Sequence, residues 1–294
     1  MNYDERAFLF DCAGDASVGI VSLPTAVPAS HTGMLIVVGG PQYRVGSHRL
    51  FVKLARHAAS QGVPAMRFDY RGMGDSWAPL RTFESVDDDL QAATDAFLQQ
   101  VPSLKRVVIW GLCDGATAAC FYASKDKRVG GLILVNPWVQ TPEGAVDTRL
   151  KHYYRRRLLS ADLWHKLLVQ RQLPKASSLK VLLTTLSQSV ATRLKRVFVR
   201  RAAQAHDNAM PLPERTGHHV QRSGVPVALA LSDDDKLARE FEDQAMPTAP
   251  WRHVMSTKLI DLAHLDHADH TVTSPVASER LFALTASWLK RMSN

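Results

Sequence analysis

Five residues, Gly111-Leu112-Cys113-Asp114-Gly115, constrain this chain more than any other stretch. They follow the β-branched run Lys105-Arg106-Val107-Val108-Ile109-Trp110. They precede a run of small, helix-compatible residues, Ala116-Thr117-Ala118-Ala119-Cys120-Phe121-Tyr122-Ala123. The pattern predicts a strand, a sharp turn with cysteine at its tip, and a helix. Glycine on both flanks has a steric reason: such a turn packs neighbouring backbone against itself, and side chains there would clash. The free N–H groups at the head of the helix point at the tip, where they favour an anion and stabilise a developing oxyanion. A lone Gly-x-Cys-x-Gly also suits a cysteine that is only a small buried hydrophobe. The chain must therefore supply partners if Cys113 is to do chemistry.

The rest of the sequence sets that turn in an alternating pattern. Ala7 to Asp11 and Val18 to Leu23 read as a hairpin, Met34 to Val38 as a buried strand, and Ser47 to Gln61 as a helix with Leu50, Phe51, Leu54 and Ala58 at helical spacing. Val63 to Phe68 is the next strand, opening into the glycine-rich loop Asp69-Tyr70-Arg71-Gly72-Met73-Gly74-Asp75-Ser76. Phe83 to Gln100 reads as a helix with Glu84, Asp87, Asp88 and Asp89 near its start, as the helix dipole favours. Beyond the cysteine turn, Gly131 to Val135 is a strand closed by Asn136-Pro137-Trp138. Val225 to Leu231 is another, followed by Ser232-Asp233-Asp234-Asp235 and a helix over 236–245. Arg252 to Ile260 is expected to be the last strand, and Pro275 to Met292 a closing helix. Strands alternating with helices imply a mainly parallel sheet flanked by helices, with functional loops at the strands' C-terminal ends.

Between Thr141 and Arg222 the strand signal disappears, and helices are expected near 148–171 and 177–205. This break predicts a core built from 1–140 and 223–294, with 141–222 inserted as a basic helical cap. Residues 141–222 carry 16 Lys or Arg against 5 Asp or Glu, whereas the remainder is slightly acidic, so all of the net +8 charge resides there. Such a segment favours acidic partners: a small-molecule or carrier-bound acyl substrate bearing phosphate, an anionic polysaccharide, or a membrane surface touched peripherally. A solvated helical face is the plain alternative. No nucleic-acid partner is expected. No apolar run approaches membrane-spanning length. Three cysteines, Cys12, Cys113 and Cys120, do not make a disulfide framework. Together with a start, Met1-Asn2-Tyr3-Asp4-Glu5-Arg6, that lacks the order of a secretion signal, they suggest a reduced, cytoplasmic protein.

A cysteine nucleophile needs a base and a group to orient that base. In α/β-hydrolases the chain order is nucleophile, acid, histidine. Here Cys113 is followed by an aspartate after the strand at 225–231 and a histidine after the last strand, which matches that order. Asp233, Asp234 and Asp235 are the candidate acids. Asp235 is favoured because it ends the loop just before the helix, with Asp234 next. His264, His267 and His270 are the candidate bases, and His270 is favoured for its place a few residues before the closing helix. A metallo-β-lactamase pattern His-x-His-x-Asp-His would need histidine where Leu265 stands, so neither a metal nor another cofactor is expected. Oxyanion donors are expected from the backbone N–H of Asp114 and from Gly40 or Gln42. Pro41, between those two, has no N–H to give.

Four stretches carry a resemblance: Gly39 to Arg49, Phe68 to Ser76, Trp110 to Ala116, and Ala268-Asp269-His270-Thr271. Together they resemble the exosortase A system-associated hydrolases of type 1, which are α/β-hydrolases found beside exopolysaccharide and protein-sorting genes in Gram-negative bacteria. The resemblance spans nearly the whole core and is least distinctive over 141–222. It implies an α/β-hydrolase fold with hydrolase chemistry, and names no substrate. The expectation is an esterase or thioesterase, or an acyltransferase, working through an acyl-Cys113 intermediate with His270 and Asp235. Arg44, Arg155, Arg156 and Arg157 are candidate substrate contacts. The competing readings are a non-catalytic scaffold of the same fold and a peripheral membrane partner in an exopolysaccharide assembly.

Overall fold

The hairpin expected at the N-terminus starts the sheet. Strands β1 (Tyr3–Cys12) and β2 (Asp15–Pro24) pair antiparallel, with Leu9 opposite Val18. β2 runs antiparallel to β4 (Ala65–Phe68), and from there every neighbour is parallel. The order is β1-β2-β4-β3-β5-β6-β7-β8, where β3 is Thr32–Val37, β5 Arg106–Leu112, β6 Val129–Val135, β7 Val227–Ser232 and β8 Ile260–Leu265. The computed structural model describes residues 2–26, 29–40, 42–79, 81–140 and 210–292. The chain divides into two compact units, Met1–Val139 with Thr216–Asn294, and Gln140–Arg215. The second is almost wholly outside the described residues. So are the expected helices near 148–171 and 177–205, and the arginines Arg155, Arg156 and Arg157.

The central strands are apolar because both their faces are covered. Every residue of β3 and β7 is buried, and all of β5 except Arg106. Parallel strands between two helical layers read as continuous hydrophobic runs for this reason. β1 and β8, at the two edges, are largely exposed or half-buried. Helix α1 (Leu50–Ser60) follows a short 3-10 turn at Ser47–Arg49 and buries Leu50, Phe51, Leu54, Ala55 and Ala58. Phe51 meets Trp110 of β5 edge-on, with ring centroids 5.7 Å apart. Helix α2 (Asp87–Gln100) opens with Asp87, Asp88 and Asp89. Helix α3 (Asp114–Ala123) leaves β5 through the cysteine turn. Helix α4 (Leu212–Ser223) begins within the span expected for the cap, and from Thr216 onward it belongs to the first unit.

One expected element is corrected. Residues 252–260 were expected as the last strand, but helix α6 (Ala249–Ser256) occupies most of them, and the strand lies further on at Ile260–Leu265. Pro250 in the first turn and Thr248 before it suit a helix start. Trp251 and Val254, three apart, turn inward together. Trp251 donates from Nε1 to Thr216 Oγ1 at 3.1 Å and meets Phe241 of α5 (Lys236–Gln244) at 4.9 Å between centroids. The consequence is that His264 sits in a strand, paired with Leu231, rather than in a loop. Helix α7 (Pro275–Met292) closes the chain, bringing the Met292 side chain against Gly131 of β6.

The parallel register puts six chain segments at one edge of the sheet. Val37 pairs with Gly111, Leu112 with Val135, Val135 with Ala230, and Ser232 with Leu265. The loops leaving β3, β4, β5, β6, β7 and β8 therefore emerge together, as expected for a site at the strands' C-terminal ends.

Candidate active site

Cys113 stands at the tip of the turn with φ 60° and ψ −129°. A non-glycine residue in this region carries about 1–3 kcal/mol of strain and persists only when its surroundings fix it. They do. Its N–H donates to the Val135 carbonyl at 3.0 Å, and its own carbonyl accepts from Ala116 at 3.1 Å, Thr117 at 3.3 Å and Trp138 at 3.1 Å. The flanking glycines are required as the sequence suggested. A Cβ on Gly111 would lie 2.6 Å from the Ala116 nitrogen, and one on Gly115 would lie 2.7 Å from the Val37 carbonyl oxygen. The thiol is half-buried, whereas Cys12 and Cys120 are buried. Burial pushes the thiol of Cys12 up to about 11, with Asp89 adding to the effect. Burial pushes Cys120 higher still.

His270 and Asp235 meet beside this turn. His270 Nδ1 and Asp235 Oδ2 are 2.7 Å apart. Asp235 is 5% exposed and does a second job, capping helix α5 by accepting from Leu237 N–H at 3.0 Å and Ala238 N–H at 3.3 Å. A cap of this kind fixes the carboxylate before any histidine arrives. With Nδ1 engaged, the other ring nitrogen is the one left for Cys113, the second hydrogen-bonding partner of the ring. Burial works against the charge on His270, but the hydrogen bonds and charges of Asp235 and Cys113 outweigh it and raise the ring to about 10. The ring thus lies between the Asp235 carboxylate and the Cys113 thiol, both of which favour its proton.

The other candidates fall elsewhere. Asp233 lies 3.5 Å from His264, and Asp234 lies 3.9 Å from Arg239; both aspartates are exposed. His264 sits between Asp233 and Glu242 at the solvent edge. His267 is exposed in a turn, with φ 53°. Of the two Asp–His pairs that form, Asp233 with His264 lies at the solvent edge and Asp235 with His270 lies beside Cys113. Among the described residues, no group of three or more His, Cys, Asp or Glu side chains is placed to hold a metal ion.

Three expected site residues make contacts within the chain. Arg44, a candidate substrate contact, has its guanidinium paired with Asp69 and, at 2.6 Å, with Asp75. Its N–H also donates to Asp69 at 2.6 Å. With two carboxylates on it, this arginine ties the loop after β3 to the loop after β4. The amides of Gly40 and Gln42 were taken as oxyanion donors. Gly40 N–H donates instead to the Asp114 carboxylate, and Gln42 N–H donates to the Gly40 carbonyl at 2.8 Å. Pro41 and the cap arginines lie outside the described residues.

Asn136, which sequence reading passed over as a strand terminator, connects three loops. It is fully buried, with φ 44°. Its Nδ2 donates to Ser232 Oγ at 2.9 Å and to the His270 carbonyl at 3.1 Å, while its Oδ1 accepts from Ser232 N–H at 2.8 Å. It thereby fixes the backbone that carries His270. The one signal in the sequence is an asparagine directly after a strand, since asparagine tolerates positive φ.

A half-buried thiol on a strained turn, a histidine beside it and a capping aspartate behind the histidine sit where the sheet gathers its loops. The family model described as the alpha/beta hydrolase family matches residues 34–282, from β3 into α7. The chain belongs to the alpha/beta hydrolase family. That membership makes hydrolase its enzyme class. Solved structures share the fold. The esterase Pf2001 of Pyrococcus furiosus aligns over 99% of this chain and 92% of its own, at TM-score 0.63 and 16% identity. Proline iminopeptidase of Mycobacterium smegmatis aligns over 98% and 99%, at TM-score 0.60 and 15% identity. Est1E of Butyrivibrio proteoclasticus, solved with ferulic acid, aligns over 97% and 99%, at TM-score 0.59 and 14% identity. The polyketide transferase grgF of Penicillium sp is 25% identical over 118 residues, which span 39% of this hydrolase and 40% of the transferase. Among the described residues, no helix of the hydrolase is long and apolar enough to cross a membrane.

Proposed function

We propose that this hydrolase cleaves ester or thioester bonds through a covalent acyl-Cys113 intermediate, with His270 as acid and base and Asp235 orienting His270. The single observation that carries the reading is the continuous line from Asp235 Oδ2 through the His270 ring to the Cys113 thiol at the head of α3. In the first half-reaction the Cys113 thiolate attacks the acyl carbon, a C–S bond forms, and the carbonyl π pair moves onto oxygen. Collapse of that oxyanion breaks the bond to the leaving alcohol or thiol, which takes its proton from the His270 imidazolium. In the second half, an acceptor gives a proton to neutral His270 and attacks the thioester. The C–S bond breaks, and the thiolate–imidazolium pair returns. Asp235 keeps the ring in the tautomer and orientation that both proton transfers require.

The acceptor is water in hydrolysis, and an alcohol or amine in acyl transfer. A thioester intermediate suits both, and the partial match to a polyketide transferase favours testing transfer alongside hydrolysis. The sequence resemblance to exosortase A system-associated hydrolases supports a role beside exopolysaccharide export. The sparse cysteines support a reducing, cytoplasmic setting. The basic segment 141–222, with Arg155, Arg156 and Arg157, suits a substrate on an anionic carrier.

Turnover of a panel of p-nitrophenyl esters and acyl thioesters tests the reading, with and without added alcohol and amine acceptors. The expected result is release of the leaving group by the native chain and none above background by Cys113→Ala. Undiminished turnover in Cys113→Ala overturns the assignment.

A further inference from the structure

One of the amides that a carbonyl oxygen at Cys113 would need, that of Gly40, is aimed at one of the chain's own side chains. Gly40 N–H donates to Oδ1 of Asp114. The backbone of Asp114 and Gly115, at the head of α3, adds to the pull on this carboxylate's charge. The approach is close enough to dictate sequence: a Cβ on Gly39 would lie 2.8 Å from Asp114 Oδ1 and 2.2 Å from the Leu112 carbonyl oxygen. Burial raises Asp114 from its ordinary value, while the Gly40 amide, this backbone and the charge of His270 pull it back. Three titratable groups face it from other positions: Cys113 on the turn, His270 from the loop after β8, and the buried Tyr70 from the loop after β4. Burial first, and then the Asp114 charge, push the Tyr70 hydroxyl up.

We propose that Asp114 is a specificity-determining residue that occupies the Gly40 oxyanion donor itself, so that its carboxylate must give way before a substrate's carbonyl oxygen can take the Gly40 and Asp114 amides. The inference rests on the reading of Cys113 as the acyl acceptor. Two anions cannot share this donor, since like charges a few ångströms apart repel strongly in a half-buried site. Displacing the carboxylate needs binding energy from the remote parts of a substrate. A small activated ester, which has almost no remote part, acylates Cys113 slowly. A larger substrate that grips the protein elsewhere pushes Asp114 aside. The arrangement selects for size and anchoring.

Two reagents separate this from a merely structural role. Iodoacetamide alkylates the thiolate by attack at carbon with loss of iodide, placing no charge on a carbonyl oxygen, so it needs neither of these amides. p-Nitrophenyl acetate acylates the same sulfur through an oxyanion and needs them. Both rate constants at Cys113 are measured in the native chain, in Asp114→Asn and in Asp114→Ala. Asparagine is isosteric and keeps an acceptor for Gly40 N–H while removing the charge. Acylation is expected to rise at least about tenfold in Asp114→Asn, less than the roughly hundred- to thousandfold that a whole oxyanion donor is worth. It is expected to rise further in Asp114→Ala, with alkylation within about twofold in all three. Acylation that is equal or slower in Asp114→Asn at unchanged alkylation overturns the inference. Alkylation of Cys113 without acylation by any ester in all three proteins overturns the acyl-transfer reading on which it rests.

Discussion

Two polar clusters at the same edge of the sheet are built on different principles. Around the loop after β4, Arg71 and Asp89 are 4% and 1% exposed and bond each other three ways, at 2.8, 3.1 and 3.0 Å. Arg44 is closed in by Asp69 and Asp75 in the same manner. Both guanidinium groups named there meet carboxylates from neighbouring segments, although Arg44 Nε is buried without a hydrogen-bond partner. Around the turn after β5, the half-buried His270 has one nitrogen on Asp235 and the other toward a thiol that solvent also reaches. The first cluster holds loops in place, and the second keeps a proton and a nucleophile available. Charge alone does not separate them. What does is whether the charged group's last partner is a fixed carboxylate or a group that can leave, attack or accept a proton.

The largest effect should come from the holding cluster. Arg71→Ala strands a buried carboxylate, and we expect a loss of about 3–5 kcal/mol in urea unfolding. A loss under about 1 kcal/mol would mean that solvent reaches Asp89 and that the contrast is overdrawn. Next comes Asp235→Asn. Asparagine still caps a helix but gives up the charge pair with His270, so unfolding should lose about 1.5–3 kcal/mol, less than in Arg71→Ala. Acylation of Cys113 should fall by about a hundredfold or more, because the ring loses its orienting charge. His264→Ala, on the solvent side, serves as the control that changes neither. If Asp235→Asn unfolds the chain while folded molecules stay active, the aspartate belongs with the holding cluster.

Asn136→Ala sits between the two kinds. It should slow acylation by about ten- to a hundredfold through misplacement of His270, with a loss of about 1–3 kcal/mol from the unpaired Ser232 and backbone groups. Equal acylation in native and mutant would show that the His270 loop does not depend on it. The smallest effect is a titration. His270 is raised from 6.5 to about 10 in the folded chain, so its proton stabilises the fold in full below about pH 6.5, and that contribution is lost as pH rises through about 10. Imidazole NMR should show the ring charged to near pH 10 in the native chain and titrating lower in Cys113→Ala. An unchanged titration in that mutant would mean that the thiol is not the ring's partner.

Local chemistry made much of the site legible before any coordinates. The glycines around Cys113 and the position of Asp235 just ahead of a helix are answers to steric and capping demands a few residues away, so pattern reading reached them. The helix at Ala249–Ser256 was lost because Arg252-His253-Val254-Met255 fits either period, and only the packing of Trp251 against Phe241 and Thr216 decides. Arg44 reads as a substrate contact in the sequence because its partners Asp69 and Asp75 arrive from another strand's loop. The Gly40 amide was assigned to a substrate for the same reason. Its acceptor, Asp114, is far away in sequence and reaches it only because Gly39 lets β3's loop touch the turn. Asn136 carries its function entirely in contacts across β6, β7 and the His270 loop.

The central claim is that Cys113 alone among the three cysteines takes the acyl group, and peptide mapping by mass spectrometry after brief incubation with an acyl thioester addresses it directly. The account predicts a single acyl group on Cys113, absent in Cys113→Ala and strongly reduced in His270→Ala, with Cys12 and Cys120 unmodified while the chain stays folded. An acyl group on Cys12 or Cys120 in the folded native chain, or the same adduct yield in His270→Ala, would contradict it.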